Sequence, residues 1–229
     1  MKLFVIEGLD GAGKSTQIKL LKEFFRNKYF NCEYFHFPRT DAPYFGELIA
    51  RFLRGEFGTI DKVDPYLVAM LYAGDRNDAA GQIREWLNRG TIVLLDRYTY
   101  SNIAYQCAKL PEEKQQNDLM NWILSLEFKH FGIPKPDLNI FLDVPFKFTE
   151  QSLTASRSGD DRSYLNGSRD IHEESLTFQK MVREIYLRVA KTDERLAVVD
   201  CNDSKGLMLP PEKIFTLISD LIIKKELLP

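Results

Sequence analysis

The stretch from Glu7 to Thr16 reads EGLDGAGKST, and it constrains the fold more than any other part of the chain. Gly8, Leu9, Asp10, Gly11, Ala12, Gly13, Lys14 and Ser15 fit the spacing G-x-x-x-x-G-K-[ST]. Before them runs the apolar segment KLFVIE, which reads as a strand. After them come Ile18, Leu21 and Phe25 at helical spacing. A strand, a glycine-rich turn and a helix in that order form a cradle for a phosphate chain. The glycines let the backbone fold tightly, so that several N–H groups point at one anion, and the helix adds its positive end. In such a loop Lys14 reaches the β- and γ-phosphates and the Ser15 hydroxyl can ligate Mg²⁺, so the donor is a nucleoside triphosphate with Mg²⁺. Thr16 completes the binding segment. A guanine-specific signal is missing: the Asn27–Lys28 pair is followed by Tyr29 and Phe30, with no aspartate.

The rest of the chain fits one α/β domain spanning residues 1–229. Apolar runs at Lys2–Glu7, Glu33–Phe37, Thr91–Asp96, Leu138–Asp143 and Leu196–Asp200 read as strands. Several lack polar alternation, as strands covered on both faces do. Helical stripes separate them: Leu67, Met70 and Leu71 with Ile83, Trp86 and Leu87, stopped at Gly90; Phe178, Met181, Val182, Ile185, Tyr186 and Val189; and Ile214, Leu217, Ile218, Leu221 and Ile222. Strands alternating with helices predict a parallel sheet with helices on both faces, and ligands at the carboxyl ends of its strands.

Charge and cysteine usage narrow the partners. With 31 basic and 33 acidic side chains the net charge is −2, which does not suit a nucleic-acid polymer. Cys32, Cys107 and Cys201 are scattered, as are His36, His130 and His172. That pattern offers no zinc-site spacing and fits a reducing compartment. The opening MKLFVIE is too short an apolar run for a secretory signal, and no run approaches a membrane span. The chain reads as cytoplasmic, with no membrane partner.

Four further places carry chemistry. Phe37–Pro38–Arg39–Thr40 follows the second strand, and Tyr72 and Arg76 lie one helical turn apart. Asp96–Arg97–Tyr98 ends the third strand. The segment ASRSGDDRSYLNGSRD carries Arg157, Arg162 and Arg169 between glycines and serines. Arg39 and Arg97 emerge at strand ends, where two guanidinium forks can clamp a monophosphate. Asp96 is a carboxylate suited to hold Mg²⁺, directly or through water.

Together these motifs resemble the thymidylate kinase family, whose members phosphorylate dTMP, over nearly the whole chain: the loop at Gly8, FPRT, the Tyr72/Arg76 pair, DRYTYSNIAYQ, KPDLNIFLD and the Arg-rich segment. The resemblance implies a three-layer α/β/α P-loop kinase fold with a central five-stranded parallel sheet and a mobile lid at about residues 155–170. It implies ATP and dTMP as substrates, Mg²⁺ as cofactor, and a homodimer. It assigns the acceptor site to Asp10, Phe37, Arg39, Tyr72, Arg76, Arg97, Asn102, Tyr105 and Gln106. Asp10 is there the contact to the sugar 3′-hydroxyl, Tyr105 the residue that excludes a ribose 2′-hydroxyl, and Tyr72 the ring under the base, where the family usually has Phe. Lys14 and Arg97 join the catalytic set. Some members carry a catalytic arginine in the loop where this chain has Gly11, so the lid residues Arg157 and Arg162, with Arg169 third, are expected to supply that charge. Glu174 matches an acid linked in the family to the metal.

A phosphate monoester is largely a dianion at neutral pH, its second pKa being about 6, so the acceptor needs no general base. Alternatives on the same scaffold are a deoxynucleoside kinase, in which Asp10 or Asp96 would activate an alcohol, and a broader dUMP/dTMP kinase. A nucleotide-binding module without turnover is a third, disfavoured by Lys14, Ser15 and Asp96.

Overall fold

The computed structural model describes residues 1–154, 165, 170–172 and 175–228. The candidate lid residues Arg157, Arg162 and Arg169, and Glu174, lie outside the described residues.

Five parallel strands form the sheet: β1 (Leu3–Gly8), β2 (Cys32–His36), β3 (Ile92–Asp96), β4 (Leu138–Asp143) and β5 (Leu196–Asp200), in spatial order β2-β3-β1-β4-β5. Every residue of β1, β3 and β4 is buried, because helices cover both faces of an α/β sheet. That is why these strands read as unbroken apolar runs. Strand β1 lies between β3 and β4, with Ile6 beside Asp96 and Gly8 beside Leu142. The chain runs from β1 to β2 on one side and later crosses from β3 to β4 on the other, so a crevice opens at the carboxyl ends of β1 and β3.

The helices are α1 (Lys14–Asn27), α2 (Phe45–Leu53), α3 (Pro65–Asn88), α4 (Thr99–Cys107), α5 (Glu113–Ser125), α6 (Phe146–Thr154), α7 (Leu176–Ala190) and α8 (Pro211–Lys224), with a π-helical turn at Leu126–His130 after α5. On one face, Ile18, Leu21 and Phe25 of α1 pack with Ile214, Ile218 and Ile222 of α8 against Phe4 and Ile6. Truncating a fully buried member such as Leu21 to Ala is expected to cost about 2–5 kcal/mol. On the other face, Phe141 of β4 stacks on Tyr186 of α7 at 4.3 Å. Local chemistry fixes the helix starts. Asp64 caps α3 by accepting from the Tyr66 and Leu67 amides, with Pro65 at the first position, and Ser175 caps α7 by accepting from Phe178.

One expected helix face is turned at its start only: Ile83 is buried and Leu71, Trp86 and Leu87 pack partly buried on the core, but Leu67 and Met70 do not. In α3, Leu67 and Met70 are 58% and 44% exposed, and the buried positions are Val68, Ala69, Ala73, Gly74, Asp75, Arg76, Ala79, Ala80 and Ile83. Small residues face inward there because α2 and α4 crowd α3 closely. The glycine Gly74 meets the ring of Phe45, and a Cβ at that position would fall 2.3 Å from Phe45 Cε1. Met181 of α7 and Leu217 of α8 are also exposed in part, at the margins of otherwise buried stripes.

Candidate active site

The glycine-rich loop leaves β1 at Gly8, where a Cβ would sit 3.1 Å from Ala12 Cβ. Gly11 and Gly13 take φ of 77° and 79°, a left-handed backbone that side chains disfavour. Gly13 is the residue before α1, and no side chain caps the helix, so its first amides remain available to an anion. Asp10 through Ser15 line one cleft. Gly8 and the buried Leu9 stand behind the loop, and the exposed Thr16 lies outside the cleft lining. The Lys14 side chain folds over the loop, its Nζ donating to the Leu9 carbonyl at 3.2 Å and standing 3.9 Å from Asp96 Oδ1.

Asp96 is 3% exposed at the end of β3. Burial pushes its carboxyl up, but Lys14, His36 and Arg97 outweigh burial and hold it below the usual carboxylate range. His36 Nδ1 stands 3.4 Å from Oδ2. Oδ1 is buried and accepts no hydrogen bond. An ionised oxygen with an unfilled lone pair, in the same cleft as Ser15 and the glycine-rich loop, fits the donor set of a hydrated Mg²⁺. Among the described residues no group of three or more His, Cys, Asp or Glu is placed to hold a metal ion.

Arg97 is the hub of the cleft. Its φ is 67°, which costs a residue with a Cβ on the order of 1 kcal/mol. Its Nη2 donates to Asp10 Oδ1 at 2.6 Å and to the Tyr105 hydroxyl at 3.3 Å, and Nη1 donates to Ser101 Oγ at 3.1 Å. Tyr105 in turn donates to Asp10 Oδ2 at 2.8 Å, as does Gln179 Nε2 at 3.2 Å. Beneath them lies Glu7, fully buried. It accepts from the Tyr98 amide at 3.0 Å, from Ser101 Oγ at 2.5 Å and from the Tyr186 hydroxyl at 2.9 Å. Burial raises the Glu7 carboxyl above its ordinary range, and these donors and Arg97 oppose the rise.

At the far end of the cleft Arg76 is held by Glu127, which the π-helical turn carries inward. Nε donates to Oε2 at 2.7 Å and Nη2 to Oε1 at 2.6 Å, and both side chains are at most 2% exposed. Asn102 Nδ2 donates to Glu127 Oε1 and to the Ala69 carbonyl, each at 3.0 Å. Both amide hydrogens are thus committed. Asn102 Oδ1 and Gln106 Oε1 are buried in the cleft wall without a partner. Phe37 and Tyr72 line the same space, with the Phe37 ring 5.7 Å from that of Tyr98.

The structure therefore brings together Asp10, Lys14, Ser15, Phe37, Tyr72, Arg76, Asp96, Arg97, Asn102, Tyr105 and Gln106 around one cleft. Arg39 stands apart. Pro38 and Thr40 line the cleft on either side of it, while the Arg39 guanidinium turns onto Asp75. Sequence reasoning missed Glu7, Asp75, Glu127, His172 and Gln179. The available signal was an acid set in an apolar stretch, as in FVIEG or SLEFKHF, since a charge there must be paired.

A sequence model of the thymidylate kinase family matches residues 6–209. A probable thymidylate kinase of Thermococcus kodakarensis is 34% identical over 223 residues, covering 95% of this chain and 97% of that protein. The thymidylate kinase of Mycobacterium tuberculosis is 32% identical over 189 residues, covering 82% and 85%. The solved thymidylate kinase of Candida albicans superposes with a TM-score of 0.73 at 27% identity, covering 98% of this chain and 92% of that one. A glycine-rich loop, a buried Asp–Arg strand end and a cleft wall of Arg76 and Asn102 on one five-stranded parallel sheet accompany those likenesses, and the chain belongs to the thymidylate kinase family.

Proposed function

We infer that the protein transfers the γ-phosphoryl group of ATP to the phosphate of dTMP, giving dTDP. The observation that carries this reading is the polarity of the base wall in a cleft that begins at the phosphate loop. Arg76 offers only donors. Asn102 offers an acceptor, because Glu127 and Ala69 consume its amide hydrogens. Thymine presents the matching pair, a keto oxygen at position 4 and an N–H at position 3. Cytosine presents an amine and a bare ring nitrogen, the reverse of both. Tyr72 and Phe37 supply flat apolar surface for the ring.

At the other end, Lys14 and the amides of the loop take the ATP phosphates. Ser15 and Asp96 would hold Mg²⁺, which when bound draws charge from the triphosphate oxygens. Between the two ends Arg97 lies where the acceptor phosphate meets the donor, so its charge offsets the repulsion of two polyanions. The acceptor oxygen is already ionised, so the demands on the protein are alignment and positive charge rather than proton removal. Asp10, fixed by Arg97, Tyr105 and Gln179, faces the sugar and suits a 3′-hydroxyl. Tyr105, buried against Asp10, leaves little room for a 2′-hydroxyl. Arg157 and Arg162 complete the reading as the source of charge on the transferring group, since Gly11 carries none.

The same reading takes the chain as one unit over residues 1–229 and as a homodimer, with the exposed Leu67 and Met70 of α3 offered to a second copy. It places the protein in the cytoplasm, supported by the free thiols Cys32, Cys107 and Cys201. Among the described residues no helix is long and apolar enough to cross a membrane. A panel of dTMP, dUMP, dCMP and thymidine with ATP and Mg²⁺, followed by ADP release, tests the function. Fastest turnover of dTMP supports it. Equal turnover of dCMP would contradict the base-wall argument.

A further inference from the structure

The cleft leaves one strong interaction unexplained. Arg39, expected at the acceptor phosphate, is seized by Asp75 of α3. Its Nε donates to Asp75 Oδ1 at 2.9 Å, its Nη2 to the Asp75 carbonyl at 2.8 Å, and its main-chain N–H to Asp75 Oδ2 at 2.9 Å. Asp75 is 1% exposed, whereas the Arg39 side chain is 20% exposed. A surface ion pair does not bury its acid or capture the partner's backbone as well. A buried carboxylate is costly unless it is paired, so something other than surface chemistry keeps it in α3. Arg39 Nη1 has no hydrogen-bond partner among the described residues, while the rings of Phe35 and Phe37, 5.8 and 5.9 Å from Arg39 Cζ, flank the guanidinium. One edge of the fork is taken by Asp75, and Nη1 on the other holds no hydrogen bond among the described residues.

The neighbours of Asp75 sharpen the point. Gly74 receives the Phe45 ring, and a Cβ at Gly46 would fall 2.1 Å from the Arg39 carbonyl oxygen. Both glycines let α2 and the segment before it lie close on α3. Arg76, the next residue, is the donor of the base wall. Consecutive residues of one helix therefore hold Arg39 beside the cleft and form part of the cleft wall.

We propose that Asp75 is the positioning residue of the acceptor-phosphate clamp: it fixes one edge and the backbone of Arg39, and so presents the free edge to the phosphate of a nucleoside monophosphate whose base is read by Arg76. The clamp is built before substrate arrives, and the ordering of a long side chain is not charged to binding. The inference rests on the reading of Arg39 as a phosphate ligand.

The test compares dissociation constants for dTMP and for thymidine, which lacks the phosphate, in the wild type, Arg39→Ala and Asp75→Asn. Both variants are expected to weaken dTMP by about tenfold or more, the scale of a lost charge-assisted hydrogen bond, and to leave thymidine within about twofold. An unchanged dTMP/thymidine ratio in Arg39→Ala would remove the reading of Arg39 itself. A changed ratio there with an unchanged ratio in Asp75→Asn would overturn the positioning role alone. Equal weakening of both ligands in Asp75→Asn would reduce Asp75 to a packing element and likewise overturn it. If Asp75→Asn does not fold, the Arg39 Nε–H resonance of the wild-type protein decides. It stays protected from solvent exchange when dTMP binds if Asp75 keeps its hold, and loses protection if the guanidinium leaves Asp75.

Discussion

Arg76 and Glu127 form a bidentate, fully buried pair, at 2.7 and 2.6 Å, that joins the middle of α3 to the π-helical turn after α5. Thr99 Oγ1 and Asn102 Nδ2 add further hydrogen bonds to the same carboxylate, at 2.8 and 3.0 Å. Glu127 thus does two things at once: it neutralises the Arg76 guanidinium and orients the Asn102 amide. Glu127→Gln is expected to lower stability by about 3 kcal/mol or more, because it leaves a buried cation unpaired. It should also shrink the preference for dTMP over dCMP in kcat/KM. Urea unfolding and the two substrates measure the two effects.

Arg97→Ala removes the charge that faces Asp10 and, in the proposed complex, the acceptor phosphate. The expected loss is roughly 1.5–3 kcal/mol in dTMP binding, with ATP binding much less affected. Titration of each nucleotide separately checks this. Equal losses for both would mean that Arg97 serves the site as a whole rather than the acceptor.

Lys109 gives a pH-dependent prediction of the opposite kind. Its Nζ is buried without a hydrogen-bond partner, 4.7 Å from the centre of the Phe52 ring, and burial pushes its pKa down to about 7. Its unfolded value is near the ordinary 10.5. Between these values the unfolded chain binds the extra proton, so this group makes stability rise with pH through that window and contributes a constant penalty below it. Lys109→Met is therefore expected to stabilise the protein at pH 6 by on the order of 2 kcal/mol, with the gain shrinking toward pH 10. Thermal melts across that range test it. A gain independent of pH would assign the effect to packing.

The candidate lid arginines are tested kinetically. Arg157→Ala or Arg162→Ala should lower kcat by an amount equivalent to roughly 2–4 kcal/mol in barrier, with dTMP binding nearly unchanged. Moving the charge to position 11 is no simple substitute. Gly11 sits at φ 77°, so Gly11→Arg carries a backbone cost of about 1–2 kcal/mol.

Much of this site was legible in the sequence because its signals are local. The phosphate loop is contiguous, Asp96 and Arg97 end an apolar run, and the five strands are short apolar segments whose ends shift by at most one residue in the structure. What escaped is long-range. Glu127 reaches Arg76 across 51 positions and Asp75 reaches Arg39 across 36, and no spacing rule links such pairs. The inward face of α3 escaped for a different reason. Periodicity favours large apolar residues, whereas tight helix crossings bury Ala69, Ala73 and Gly74 and leave Leu67 outside.

The central claim, that the acceptor is a phosphate and not an alcohol, has one most direct measurement. ATP labelled on its γ-phosphate is supplied with dTMP and with thymidine in parallel, and the labelled product is identified. The expected result is label in the β-phosphate of dTDP and none on thymidine. Label on the 5′-oxygen of thymidine, with dTMP left untouched, would contradict it.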